Sequence, residues 1–404
     1  MSGRHDVIVV GAGLAGLRCA VELRARGLEP LVLEAADAVG GRVRTDEIDG
    51  FLVDRGFQVL LTAYPEAQAT FDYAELDLRR FVPGALCRRG DRFTTVADPR
   101  RSPLRAVAGL VHPAGSAADG VRALRLRRQA CRGTLHDLFG RPESTTAERL
   151  QELGFSAAAQ QAFLRPFLSG VFLDTELETS SRLLEFVMRM FATGDTAVPA
   201  RGMGALGEQL AARLPAGSVR LATPVAAVGP TAVELAGGGR LEAAAVVVAT
   251  AGLVPEVEPR AWRSVTNFTF DAPEAPVRGP ILVLDGTRRG PVGTFHVASE
   301  VAGGVAPPGR ALVSASVVGL VGAAAEPDVR RQLAGWFGSA VADWRLVQAL
   351  GIERALPVVP PRLRTPRLES GVFVCGDHVM APTLNAALAT GRRAATAVAA
   401  ALAR

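Results

Sequence analysis

Lysine is missing from this chain: all 45 basic side chains are arginine, set against 40 acidic ones, for a net charge of +5. Chemistry that depends on a lysine ammonium is therefore closed to it. A codon bias toward arginine accounts for the replacement, and a charge of this size bears on solubility and partners more than on fold. Cysteine is also scarce. Cys19, Cys87, Cys131 and Cys375 lie far apart with no CxxC pair, which argues against a zinc site or a disulfide framework and for a reducing compartment. Aromatic residues make up only 5%, the arginines are spread along the chain and no nucleic-acid module is recognisable, so nucleic acid is not an expected partner. No run of about eighteen apolar residues appears. The N-terminus enters DVIVVGAGLAGL at once, too glycine-rich for a secretory signal. The expected location is the cytoplasm.

What the chain has is apolar bulk and glycine. With 404 residues and 49% hydrophobic content it can bury a large core, and its length fits about two or three domains. Residues 6–10, DVIVV, read as a short strand, followed by GAGLAG and by a helix that ends at Gly27. A second strand, PLVLE, ends at Glu34, completing a βαβ unit. Gly11, Gly13 and Gly16 then match GxGxxG in the context that the motif requires. The first glycine allows the tight turn, the second lets a pyrophosphate approach the backbone, and the third lets helix and strand pack closely. The helix N-terminus offers free N–H groups to phosphate, and Glu34 offers an acceptor to a ribose. NAD and FAD would both suit this fingerprint. Gly40, Gly41 and Arg42 add a second place where backbone and a charged donor can meet a diphosphate.

Far downstream, GVFVC reads as a strand, Gly376 permits close approach, Asp377 offers an acceptor to a polyol, and Asn385 begins a small-residue helix suited to lying against a planar ligand. Two nucleotide-contacting pieces so far apart in sequence fit FAD, which is long enough to need both.

GAGLAGL, Glu34 and GGRVRT together resemble the start of the flavin amine oxidase, phytoene desaturase and protoporphyrinogen oxidase superfamily. The resemblance continues through GFLVDRGFQVLL (50–61), PARGMGALGEQLAARL (199–214), TPVAAV (223–228), AAAVVVAT (243–250) and GVFVCGDHVMAPTLNAALATGRRAA (371–395). It implies an α/β fold: a Rossmann-like FAD-binding domain, discontinuous in sequence (1–80, 196–260 and 351–404), and an α+β substrate domain of mixed sheet and helices (81–195 and 261–350). It also implies non-covalent FAD held by Gly11, Gly13, Ala15, Gly16, Glu34, Ala35, Gly40, Gly41, Arg42, Gly56, Phe57, Gln58 and Val59, by Val225 beside the adenine, and by Gly376, Asp377, Thr383, Leu384 and Asn385 near the flavin. No metal is expected.

In the amine-oxidising branch a lysine reaches the reactive flavin nitrogen through water and aromatic residues flank the amine. This chain has no lysine, Thr383 stands where one of those aromatics is usual, and its only tyrosines are Tyr64 and Tyr73. The reading favoured is an FAD oxidoreductase of dehydrogenase, desaturase or isomerase type for an apolar substrate such as a polyprenoid or tetrapyrrole. The alternatives are an amine oxidase lacking its lysine and a flavin binder without catalysis. Phe163, Phe167, Phe172, Phe186, Phe191, Phe268, Phe270 and Phe295 are candidates for the pocket wall, most of them expected in ordinary core. His378 and His296 are the candidate acid–base groups, able to titrate near neutral pH at ordinary values. Cys375, in an apolar strand, reads as a small buried residue and not a flavin attachment point.

Between the flavin pieces, Thr145 with Glu148 forms a capping box, Leu183, Leu184, Val187 and Phe191 share a helical face, and a helix is expected near 327–338. Residues 97–132 carry eight arginines and two aspartates. Arg122, Arg125, Arg128 and Arg132 share one helical face, while Leu104, Val107 and Val111 share an apolar one. The segment is a candidate for peripheral contact with the inner membrane face.

Overall fold

A computed structural model describes residues 5–97, 115–287, 289–362 and 364–403. The most apolar runs of the sequence form its first sheet. His5–Val10 pairs in parallel with Pro30–Leu33 on one side and with Arg240–Val248 on the other. Val219–Arg220 extends the sheet beyond Pro30–Leu33, and Phe373–Val374 joins the far half of Arg240–Val248. The near half of that long strand instead turns back antiparallel onto Ala232–Leu235, which pairs with Val225–Val228. Every side chain of Pro30–Leu33 is buried, as are the last four of His5–Val10 and of Arg240–Val248. That is the signature of parallel strands covered on both faces.

Two helices cover one face. Leu14–Arg24 and the last helix, Leu384–Leu402, touch through backbone: a Cβ on Gly391 would stand 2.3 Å from the Ala15 carbonyl oxygen. This contact explains the run of alanine and glycine in the last helix, and it brings the N-terminal end of a segment near residue 384 beside the glycine-rich turn near residue 13.

The second sheet is assembled from two separate parts of the chain. Its strand order is Arg345–Pro357, Trp262–Ala272, Ala311–Val318, Val292–Val297, Leu282–Asp285, Gly84–Arg89, Arg92–Ala97. All neighbours are antiparallel except Leu282–Asp285 with Gly84–Arg89. Helix Glu326–Phe337 packs Val329 and Leu333 with Phe268, Phe270, Phe295 and Trp344 in one core. Arg345–Pro357 carries this sheet past residue 350, where the sequence reading placed the return to the flavin domain. The strand continues because it keeps pairing with Trp262–Ala272 as far as Pro357.

A helical layer follows the Arg92–Ala97 strand: Ala117–Ala130, Leu135–Phe139, Thr146–Glu152, then Ala157–Phe172 with one irregular turn, then Ser181–Thr193. The first three open with capping boxes, Ser116 with Asp119, Thr134 with Asp137 and Thr145 with Glu148. Each satisfies two helix-end donors reciprocally. Leu183, Leu184 and Val187 are buried on one face of Ser181–Thr193. A small three-stranded sheet, Leu60–Leu61, Thr196–Val198 and Arg79–Arg80, ties the ends of this layer together.

Candidate active site

The glycine turn forms because two of its residues have no room for a side chain and one has no need of it. Gly11 sits at φ +105°, a conformation that disfavours a Cβ, and a Cβ on Gly16 would lie 1.9 Å from the Gly11 carbonyl oxygen. Gly13 differs. Its backbone is extended, at φ −71° and ψ 175°, and a Cβ there would meet no protein atom within 4 Å. The space beside Gly13 is open cavity. Leu17 is the first residue of the following helix to donate back along it, to the Gly13 carbonyl, so the N–H groups of the first turn point out toward that space.

Glu34 closes the turn from below. Its carboxylate accepts from the Ala12 N–H at 2.6 Å and from the Ala36 N–H at 2.9 Å. The second glycine stretch lies directly against the first: Gly40 donates to the Ala12 carbonyl, and a Cβ on Gly41 would stand 3.2 Å from the Gly13 Cα. Gly40 and Gly41, at φ +104° and +62°, both occupy the left-handed region. Arg42 then reaches across the cavity, donating to Asp377 at 2.5 Å and to the Ala355 carbonyl at 2.9 Å. Its guanidinium also lies 5.6 Å from the centre of the Trp262 ring. The sequence reading gave Arg42 to a diphosphate and Asp377 to a polyol; here they border one cavity and pair with each other.

That cavity has a volume of about 1550 Å³. Gly11, Gly13, Ala15, Glu34, Gly40, Gly41, Arg42, Gly56, Phe57, Gln58, Val59, Gly376, Asp377, His378, Thr383 and Leu384 all border it. Thr383 caps the last helix, accepting from the Ala386 N–H at 3.0 Å. The other expected contacts lie off it. Gly16 is packed inside the turn, Ala35 is exposed, Val225 pairs with Leu235 at the sheet edge, and Asn385 accepts from the Glu66 N–H at 3.0 Å. Residues not anticipated also border it: Tyr64, Thr250, Ala251, Trp262 and Arg354. Thr250 and Ala251 follow the carboxyl end of a parallel strand, where open α/β sheets bind ligands, so that signal was available. Trp262 carried none beyond its rarity.

The two histidines part company. His296 does not border the large cavity; it faces a small pocket of about 40 Å³, with the Phe57 ring 4.3 Å and the Phe81 ring 5.8 Å away. Burial among these rings pushes its imidazole down to about 3. The expectation that it titrates near neutrality is corrected, because an imidazolium there would be stripped of water with no compensating charge. His378 does border the cavity, with its ring over Gly376, which sits at φ +136°. Burial lowers its pKa; Asp377 opposes this and Arg42 adds to it. Its Nε2 is buried with no hydrogen-bond partner. An orphaned buried polar atom is costly and fits a ligand that brings a partner.

Away from the glycine turns the cavity wall changes character. Phe163, Phe167, Phe172, Phe191, Leu183, Leu184, Val187 and Met188 border it there, while Phe186, Phe268, Phe270 and Phe295 belong to packed cores. Cys375 is buried and faces Cys19, whose thiol is held well above its ordinary pKa by hydrogen bonding with Cys375 and then by burial. Neither borders the cavity.

A long cavity thus runs from a phosphate-type cradle to an apolar chamber. The sequence of flavin containing amine oxidoreductases matches residues 14–399. This chain belongs to that family. Among solved structures it is similar over its whole length to cyclohexylamine oxidase from Brevibacterium oxydans IH-35A, which it covers completely, with a TM-score of 0.72 and 17% identity. Among curated proteins, coproporphyrinogen III oxidase of Propionibacterium freudenreichii subsp. freudenreichii is 34% identical over 107 residues, 26% of this chain and 20% of that one. The 15-cis-phytoene desaturase of Narcissus pseudonarcissus is 40% identical over 67 residues, 16% of this chain and 12% of that one. The matches therefore span a fifth or less of these curated relatives.

The family is one of flavin-containing oxidoreductases, and FAD is the cofactor expected from the sequence. The cradle fits that cofactor on the protein's own geometry: open space at Gly13, unpaired N–H groups at one helix end, an acidic residue at the end of the second strand, and the unpartnered Nε2 of His378. When bound, FAD supplies the hydride acceptor. The protein's share is to seat it, to exclude water and to orient the substrate.

Proposed function

We propose that this oxidoreductase acts on an apolar substrate, a polyprenoid or a tetrapyrrole, oxidising, desaturating or isomerising it in the chamber beyond the cradle. One observation carries the reading: the wall there is phenylalanine, leucine, valine and methionine, and no lysine exists anywhere in the chain to serve an amine. An apolar substrate needs a dry, shaped cavity that aims the bond to be broken. It does not need the charge-neutral amine to be held by specific polar fixtures. Burial also favours the neutral form of the His378 imidazole at the flavin end of the cavity.

Entry from a membrane surface belongs to the same proposal. Helix Ala117–Ala130 borders the cavity through Gly120, Ala123 and Leu124, and it leaves Val121 68% and Leu124 47% exposed. Arg125 and Arg128 are exposed beside them. Residues 98–114, which hold the expected apolar face of Leu104, Val107 and Val111, lie outside the described residues. Among the described residues no helix is long and apolar enough to cross a membrane.

Anaerobic spectrophotometry tests the substrate class. Mono-, di- and polyamines are expected to leave the oxidised flavin band unchanged, whereas a polyprenoid or tetrapyrrole hydride donor bleaches it. Rapid bleaching by a simple amine would overturn the reading in favour of an amine oxidase that works without lysine. A flavin that no donor of either class reduces would favour binding without catalysis.

A further inference from the structure

Among the described residues, the chamber wall holds an arginine that no hydrogen bond, ion pair or aromatic ring engages. Five arginines border the cavity among the described residues. Arg42 is bound to Asp377, Arg55 donates to Asp46 at 2.6 and 3.1 Å, Arg127 donates to the Ala192 carbonyl at 2.9 Å, and Arg354 lies 6.0 Å from the Trp262 ring centre. Arg165 is the fifth. It is half-buried, and no hydrogen bond or ion pair within the described residues engages its guanidinium.

The backbone is bent to put it there. Pro166 cannot donate to the carbonyl four residues back, and its ring would collide with that carbonyl in a regular helix. The chain answers with a wide turn over Gln160–Leu164, in which the Arg165 N–H donates five residues back to the Gln160 carbonyl. Such single wide turns recur at functional sites. Phe163, Leu164 and Arg165 border the cavity at this turn, and Ser169 borders it one turn further along. Residues four apart share a helix face. The Ser169 hydroxyl likewise makes no hydrogen bond within the described residues.

Among the described residues, the four carboxylates that border the cavity are all engaged elsewhere. Glu34 serves the Ala12 and Ala36 N–H groups, Asp377 serves Arg42, and Asp119 serves Ser116, Ser156 and Arg122. Asp285 serves Thr287 and Gln332. A carboxylate meets the planar fork of a guanidinium with two hydrogen bonds.

We propose that Arg165, with Ser169 beside it, receives a carboxylate on the substrate, so that the apolar donor is an amphiphile with an acidic end. This rests on the apolar-substrate reading. The arginine is a specificity-determining residue under this proposal, and it takes no part in hydride transfer.

The test is a matched pair, geranylgeranoic acid and its methyl ester, titrated into the oxidised holoprotein and followed by perturbation of the flavin band. In the unaltered protein the acid is expected to bind about tenfold or more tighter than the ester, the usual worth of a hydrogen bond to a charged group. Arg165→Gln should bring the two affinities together while leaving flavin content and ester affinity unchanged. Arg165→Lys should restore part of the preference, and Ser169→Ala should weaken it. Equal binding of acid and ester by the unaltered protein, or a preference that survives in Arg165→Gln, would overturn the role of Arg165 alone. Binding of neither would overturn the apolar-substrate reading and this proposal with it.

Discussion

Gly13 and Gly16 belong to the same motif and answer to opposite constraints. Gly16 is fixed by the protein, since its Cβ would lie 1.9 Å from a backbone oxygen; Gly13 has empty space and an extended backbone that any residue adopts. Gly13 is also the N-cap of its helix, where serine is favoured. Gly13→Ser should therefore leave the denaturation midpoint of the flavin-free protein unchanged or slightly raised, yet purify with little flavin, because the added hydroxymethyl group fills the cradle and takes up a helix-end N–H. Gly16→Ser should fail to fold. Full flavin content in Gly13→Ser would show that the open space is not the cofactor seat. A second pair bears on how stability varies with pH. Burial pushes Asp54 up to about 6 against the hydrogen bonds from Thr45 and the Met203 N–H, and pushes His296 down to about 3. The raised Asp54 contributes stability that is full below pH 3.8 and is lost as pH rises through about 6. The depressed His296 contributes stability that is present above pH 6.5 and is lost as pH falls toward 3. Where those windows overlap, from about pH 3.8 to about 6, the folded and unfolded proton counts of these two groups cancel. Asp54→Asn removes one side, so on acidification across roughly pH 6 to 4.5 its urea-unfolding stability should drop relative to the parent by up to about 1.4 kcal/mol per pH unit. Parallel pH profiles would contradict the assignment.

At the level of elements, what could be read from sequence was local and what could not was tertiary. The βαβ unit was legible because strand, glycine turn, helix and Glu34 are contiguous, and the strand before Gly376 because its apolar run is uninterrupted. The capping box at Thr145 and Glu148 is a spacing rule within one turn. By contrast, nothing local distinguishes His296 on Val292–Val297 from a titrating histidine; Phe57 and Phe81 arrive from a distant part of the chain. The strand past residue 350 follows from its partner, Trp262–Ala272. Arg42 and Asp377 each offered a plausible ligand contact, and only their meeting across the sheet shows that they pair. The wide turn before Pro166 was in principle legible, since an interior proline must disturb a helix, though which residue it turns inward was not. Helix Ala117–Ala130 makes its own prediction. With Val121 and Leu124 exposed among arginines, it should bring the protein down with anionic liposomes at low salt, more weakly as salt rises. Val121→Asp with Leu124→Asp should abolish this and spare flavin content. Absence of binding at low salt would remove the membrane route.

On the scale of the whole molecule, one cavity joins two bodies that the chain builds in alternation. The parallel sheet and its two helices supply the cradle. The antiparallel sheet and the helical layer supply the chamber, and Trp262, at the start of the strand Trp262–Ala272, stands between them beside Arg42. This arrangement explains why the family's two nucleotide motifs lie at opposite ends of the sequence: both must return to the carboxyl edge of one sheet after each excursion into the other body. On the proposed function, substrate lies next to the flavin, in the space walled by the helical layer. The most direct measurement is a visible difference spectrum of the oxidised holoprotein titrated with a colourless isoprenoid hydrocarbon such as squalene, compared with the same titration of Val187→Trp. Val187 is buried and borders the chamber, so tryptophan there should fill it without disturbing the cradle. The account predicts a saturable perturbation of the flavin band in the parent protein and its loss in Val187→Trp at unchanged flavin content. A parent protein whose flavin band does not respond, or a variant that responds as fully as the parent, would contradict a shared cavity.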